Sequence, residues 1–326
     1  MSKKCIKLDR KTKIYIYPTK PFNFEGTFFK PSHFPSKLVK YIKGKLYQGI
    51  RVNGRPFGLA ISDSIKEDKA RISVDIYFTK NISEVAKEKI KLEIIKRYDL
   101  DSDIEDFIEK FKLDRLLSAP IKSLGGMKPS TAYSLYGFLM VATVLQNTTV
   151  GRSVKMMDTL LSNLGTKLVY ANQEIFLLWL PEDIERVSEE FLRKLKIGYR
   201  AKIIKRISHA FVIKEITEEK LREKANKEEI GKDLLELYGV GRQTVSYVLF
   251  EVFHFYNAFC YIAPWEQKIF SKLIFNKNKV PVADILAIAE ERWGKWWMLA
   301  MHYLFEDIFW RNKKQKIDWL EKEIRM

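Results

Sequence analysis

Residues 234–249 read LLELYGVGRQTVSYVL. The stretch predicts a helix, the loop Gly239-Val240-Gly241, and a second helix. Two glycines around one apolar residue let the backbone turn tightly and come close to a ligand. The second helix then starts with outward-facing amides, and its dipole makes that end an anion site. A nucleic-acid phosphate is the expected guest. Val240 is expected to plug the loop onto its domain, and Arg242 adds charge at the mouth. A GxG turn alone is also a common glycine cap between helices. The longer pattern of Leu235, Leu237, Gly239, Gly241, Thr244 and Leu249 is more specific and favours DNA.

The chain around this hairpin has 326 residues, a net charge of +17 and a pI near 9.5. That length suggests two or three domains. A surplus of this size points to a polyanion, because neutralised phosphates release condensed counterions. Abundant surface lysine in a heat-adapted protein would give a similar balance. The two cysteines, Cys5 and Cys260, are too few for a four-cysteine iron–sulfur or zinc site. Such low cysteine usage fits a reducing compartment. The N-terminus lacks the apolar stretch of a signal peptide. No run of about 18 uncharged apolar residues occurs, so no membrane span is expected. A monomer in the cytoplasm, nucleoid-associated if prokaryotic, is the expectation.

Residues 1–100 mix both periods. KIYIY (13–17), YQGIRV (47–52) and ARISVDIYF (70–78) predict strands, with turns at NGRP (53–56) and SDS (62–64). SKLVKYIKGK (36–45) and SEVAKEKIKLEIIKRY (83–98) have helical spacing. The expected fold is an α+β N-terminal domain with an antiparallel sheet, over 1–100. It is followed by an all-helical domain over 101–326.

The hairpin resembles that of the helix-hairpin-helix DNA glycosylases, and the likeness extends on both sides. ATVLQNTTVGRSVKMMDTLLSNLG (142–165) resembles the helix, Gln-containing loop and helix of the 3-methyladenine DNA glycosylase II branch. IGYRAKIIKRI (197–207) resembles its glycine–arginine helix start, and ERWGKWWMLAMHYLF (291–305) its Trp-rich closing helix. The N-terminal α+β region fits the extra domain of that branch.

The resemblance implies an enzyme that flips a modified base from duplex DNA and hydrolyses its N-glycosidic bond, in base excision repair. The backbone grip falls on Gly239, Val240, Gly241, Arg242, Gln243 and Thr244. Bifunctional members carry a lysine where this chain has Gln243. An amide cannot form a Schiff base, so the resemblance implies no lyase step, or a nucleophile placed elsewhere.

The family's catalytic aspartate falls on Ala263, flanked by Ile262 and Pro264. The nearest acid is Glu266, within the first turn of the next helix. It is the catalytic candidate, and equally a carboxylate that complements a helix dipole. Glu251 and Asp307 are other acids that the fold could bring to the site.

Gln146 and Asn147 fall where the family wedges a side chain into the gap left by the base; a polar helix cap is the plain alternative. Tyr247, Trp265, Phe305 and Tyr133 are base-pocket candidates, core packing being the plainer role for Tyr133. The four histidines show no metal-ligand spacing. No cofactor is expected to be required, although the resemblance implies a monovalent cation at the carbonyls of Tyr238, Gly239 and Val240. The expected substrate is an alkylated purine. A methylated cytosine or an oxidised or deaminated base is the alternative, as is a non-catalytic DNA-binding protein that kept the fold.

Overall fold

The computed structural model describes residues 4–64, 70–258 and 261–324. Cys260 lies outside them; Cys5 is exposed and free. Two compact units interleave along the chain. One comprises Met1–Thr19, Phe34–Asp101 and Ala132–Thr217. The other comprises Lys20–His33, Ser102–Thr131 and Glu218–Met326. The boundary expected near residue 100 is therefore one of several crossings.

The first unit carries a five-stranded antiparallel sheet. Its order is Arg10–Ile16, Ile72–Phe78, Arg55–Asp63, Lys45–Val52 and Val39–Ile42. Alternation drives it: Leu46, Gln48, Ile50 and Val52 point inward along one strand. Asn53 and Gly54 have φ of 51° and 74° between the paired residues Val52 and Arg55. This two-residue turn matches the twist of the flanking strands.

Lys43 and Gly44, at 49° and 73°, make the same kind of turn between Ile42 and Lys45. Residues 36–45, expected as a helix, thus form the strand Val39–Ile42 and its turn. The left-handed Lys-Gly pair commits the chain to a hairpin, whatever the spacing of its apolar residues.

A second sheet of three strands, Lys4–Lys7, Thr166–Tyr170 and Gln173–Leu177, belongs to the same unit. Its last two strands interrupt the range 101–326 expected to be all helical. They join through Ala171 and Asn172, at 48° and 58°. Gly49 and Gly58 pair across the larger sheet and leave a notch. A Cβ at Gly58 would stand 2.6 Å from the Tyr170 ring, and one at Gly49 2.6 Å from Leu177. Tyr170 fills that notch and donates its hydroxyl to the carbonyls of Gln48 and Leu59, at 2.8 and 3.1 Å.

Helices Glu84–Arg97, Leu135–Leu145, Val150–Leu164 and Arg200–Val212 complete this unit, with two shorter ones. Ser83, Ser134 and Thr149 cap the first three through their side chains.

The second unit is helical throughout its described residues. Its central helix, Trp297–Lys314, buries Met298, Leu299, Tyr303 and Leu304 among others. Tyr303 donates to the carbonyl of Met127 at 2.9 Å. Asp307 accepts from Ser123 at 2.9 Å and pairs with Arg311 at 2.9 Å, so this acid is held in packing contacts. No helix among the described residues is long and apolar enough to cross a membrane.

Candidate active site

The hairpin forms as its sequence suggests. Helix Lys227–Glu236 leads through Leu237–Gly241 into helix Arg242–Glu251. Gly239 has φ of 84°, in the left-handed region that L side chains avoid. Leu237 and Val240 are buried, and the Val240 amide donates to the Leu237 carbonyl at 3.0 Å. Val240 thus plugs the turn. Gly241 caps the second helix with φ of −109°, open to any residue. A Cβ there would meet nothing within 4 Å. The fold itself therefore does not demand glycine at 241. A bare backbone there instead leaves the helix start open to close approach by an external group. Arg242 is exposed, while Gln243 and Thr244 are partly buried.

Helix Pro264–Phe275 begins after Ala263, which is its N-cap but has no side chain to cap with. Pro264 suits this start because its missing N–H would lack an intrahelical partner anyway. Glu266, three residues in, reaches back. Its Oε2 accepts from the Ala263 amide at 2.8 Å, and its Oε1 accepts from the Tyr247 hydroxyl at 2.5 Å. The carboxyl is 3% exposed. Burial pushes its pKa from 4.5 up to about 7, against the opposing pull of the Tyr247 and Ala263 hydrogen bonds. Burial and the neighbouring carboxylates raise the Tyr247 phenol well above 10, so it remains a donor. The carboxyl thus sits on the backbone amide of Ala263, where the resemblance expects an aspartate.

Trp265 is 39% exposed, and its ring meets Phe305 edge-on at 5.7 Å. Phe305 packs in turn on Phe270 at 5.7 Å and Phe309 at 4.7 Å. Tyr247, Glu266, Trp265 and Phe305 therefore belong to one unit, and contacts link them in pairs. Tyr133 belongs to the other unit, where its hydroxyl lies 3.4 Å from the Ser36 hydroxyl.

The wedge loop also lies in that first unit. Asn147 is exposed, with φ of 47°, and its Nδ2 donates to the Tyr199 hydroxyl at 3.3 Å. The Gln146 carbonyl accepts from the Arg200 guanidinium, which stacks over Tyr199 at 4.8 Å. Tyr199 and Arg200 brace the loop. Sequence reading marked their segment without giving either residue a role.

It also missed Lys30, Ser32 and Glu306, which gather beside Glu251 in the helical unit. The available signal was Glu306 itself, an acid inside the apolar run WWMLAMHYLFEDIFW (296–310). Among the described residues no group of three or more His, Cys, Asp or Glu side chains could hold a metal ion. A cation at the hairpin would rest on backbone carbonyls alone.

No protein-family model matches the chain. It is 24% identical over 250 residues to a DNA-3-methyladenine glycosylase of Bacillus subtilis (strain 168), covering 76% of this chain and 81% of that one. Among solved structures, the 3-methyladenine DNA glycosylase of Archaeoglobus fulgidus superposes with a TM-score of 0.75 at 20% identity. That match covers 93% of this chain and 99% of the other. The 8-oxoguanine glycosylase/lyase of Clostridium acetobutylicum gives a TM-score of 0.67 at 18% identity, over 92% and 99%. The chain shares its fold with DNA glycosylases.

Proposed function

We propose that this chain is a monofunctional DNA glycosylase of base excision repair. It binds duplex DNA containing a modified base, extrudes that base and hydrolyses its N-glycosidic bond. The observation that carries the reading is Glu266, a buried carboxyl hydrogen-bonded to Ala263 and Tyr247 at the start of the helix that follows the hairpin.

As the base departs, positive charge builds on the sugar, and an ionised Glu266 stabilises it. The same carboxylate takes a proton from the attacking water, whose oxygen bonds to the sugar carbon and leaves an abasic site. Tyr247 and the Ala263 amide hold the carboxylate in orientation. Residues Gly239–Thr244 grip the DNA backbone, and Gln146 and Asn147 fill the vacated stack. Trp265 and Phe305 offer ring faces to the base; stacking of this kind fixes no particular modification. Tyr133 is the further pocket candidate. A cation at the carbonyls of Tyr238, Gly239 and Val240 would steady the hairpin and take no part in the chemistry. Gln243 cannot attack the sugar, so no strand cleavage accompanies base release.

A binding-only protein is the second reading, favoured by the absence of a side-chain cap at Ala263. Duplexes carrying a panel of alkylated, oxidised, deaminated and methylated bases, treated with alkali after incubation, separate the two. Release of one base is the expected result. Release of none, with DNA binding intact, would leave the binding-only protein.

A further inference from the structure

The helical unit holds a second group of buried ionisable side chains that the hydrolysis above does not use. Lys30 is 5% exposed, and its ammonium donates to the Thr27 carbonyl at 3.0 Å and to the Ser130 hydroxyl. The Ser32 hydroxyl donates to Glu306 Oε1. Glu306 is fully buried, and its Oε2 has no hydrogen-bond partner. Glu251 Oε1 stands 3.9 Å from His33 Nε2. Side-chain exposures of 13% for Glu251 and 37% for His33 show that the group opens to the surface.

The group adjoins the candidate active site. Glu251 lies one helical turn after Tyr247 on the same helix, and Glu306 follows Phe305 directly. The charges of Glu266, Glu251 and Glu306 all act on the Tyr247 phenol. Burial raises both Glu251 and Glu306, and the Lys30 ammonium opposes this. One ammonium cannot balance two buried carboxylates, so the pair holds a proton between them. The resulting set is neutral: a cation, a carboxylate and a carboxylic acid. A pure packing role leaves Glu306 Oε2 unexplained, since a buried oxygen without a donor is costly.

We infer that Glu306 and Glu251, balanced by Lys30, read the extruded base and select a neutral one with a lactam edge, a ring N–H beside a carbonyl. The inference rests on the glycosylase reading of the same site. A carboxylate oxygen accepts the ring N–H, and the neighbouring protonated carboxyl donates to the carbonyl. Oxidised and deaminated purines present that edge. Undamaged guanine does too, but its firm pairing makes extrusion costlier than for a mispaired base. A base without the N–H leaves the carboxylate unpaired, and sites of this kind reject such analogues strongly. A cationic alkylated base gains little, because the group is neutral overall.

The test is equilibrium binding to duplexes whose lesion nucleotide carries a 2′-fluorine and resists hydrolysis. One lesion is hypoxanthine and the other 1,N6-ethenoadenine, each opposite thymine. The protein is expected to bind the hypoxanthine duplex at least tenfold more tightly. In Glu306→Gln that ratio is expected to fall at least fivefold. Ser32→Ala, which frees Glu306 Oε1, gives a milder fall and serves if the first variant does not fold. A wild-type ratio of one or less would overturn the assignment. So would a folded Glu306→Gln that weakens both duplexes equally. Binding is read without turnover, so failure of base release and failure of base selection are told apart.

Discussion

Glu266→Gln is the substitution from which most can be worked. Folding moves the Glu266 pKa from 4.5 to about 7. At about 1.36 kcal/mol per pKa unit, the folded protein holds that proton ~3 kcal/mol more tightly than the unfolded chain. The folded value is the higher one, so this contribution is fully present below 4.5 and is lost as pH rises through 7. Most of it disappears between pH 5 and pH 8. Glutamine has no such proton and keeps only one acceptor for the two donors, Ala263 N–H and Tyr247 O–H, at a cost of about 1–3 kcal/mol. The variant is therefore expected to be clearly less stable than the parent at pH 5. The gap should close by about 2–3 kcal/mol at pH 8, as buried charge in the parent removes the parent's advantage.

Urea unfolding at the two pH values measures the gap. On the released base, the single-turnover rate of the parent should rise with pH to a plateau above about 7. The variant should lose roughly 10²–10⁴-fold and with it that rising limb. A stability gap independent of pH would refute the buried-acid account. A variant of parental rate would remove Glu266 from the chemistry.

Two further outcomes follow from the hairpin. Gly241→Asp should leave thermal stability within about 0.5 kcal/mol of the parent, because a Cβ at this position meets no neighbour. It should weaken duplex binding at least tenfold in a gel-shift titration, and parental affinity would argue against a phosphate at this helix start. Borohydride added during turnover should trap no covalent protein–DNA adduct, since Gln243 replaces the amine; a trapped adduct would mean that a lysine elsewhere attacks the sugar.

Local signals carried much of the fold. Asn53-Gly54 was readable as a turn because both residues tolerate a left-handed backbone. The turns at Lys43-Gly44 and Ala171-Asn172 have the same geometry with weaker residues, and both hairpins escaped the reading. Their strands are fixed by partners: Gln173–Leu177 needs Thr166–Tyr170, and Tyr170 needs the Gly49–Gly58 notch. The interleaving of the two units was invisible for the same reason. Lys30 and Ser32 fall within the N-terminal third of the sequence, yet Ser32 bonds Glu306 across 274 positions. No periodicity or motif encodes a contact of that range; only the assembled core supplies it.

The replacement of the expected aspartate by Ala263 is better understood as a division of labour. An N-cap residue with a carboxylate can bond its helix amides itself. Ala263 cannot, and Glu266 reaches back over three residues to take the Ala263 amide. This looks like competition, because Oε2 caps the helix and Oε1 holds Tyr247. A carboxylate, however, offers about four acceptor sites, and two bonds leave room for a water or a sugar. The two bonds also oppose the effect of burial and hold the pKa near 7 instead of higher. The cap that makes Glu266 explicable as structure is thus what keeps a buried acid ionisable at neutral pH, and the structural and catalytic readings support each other.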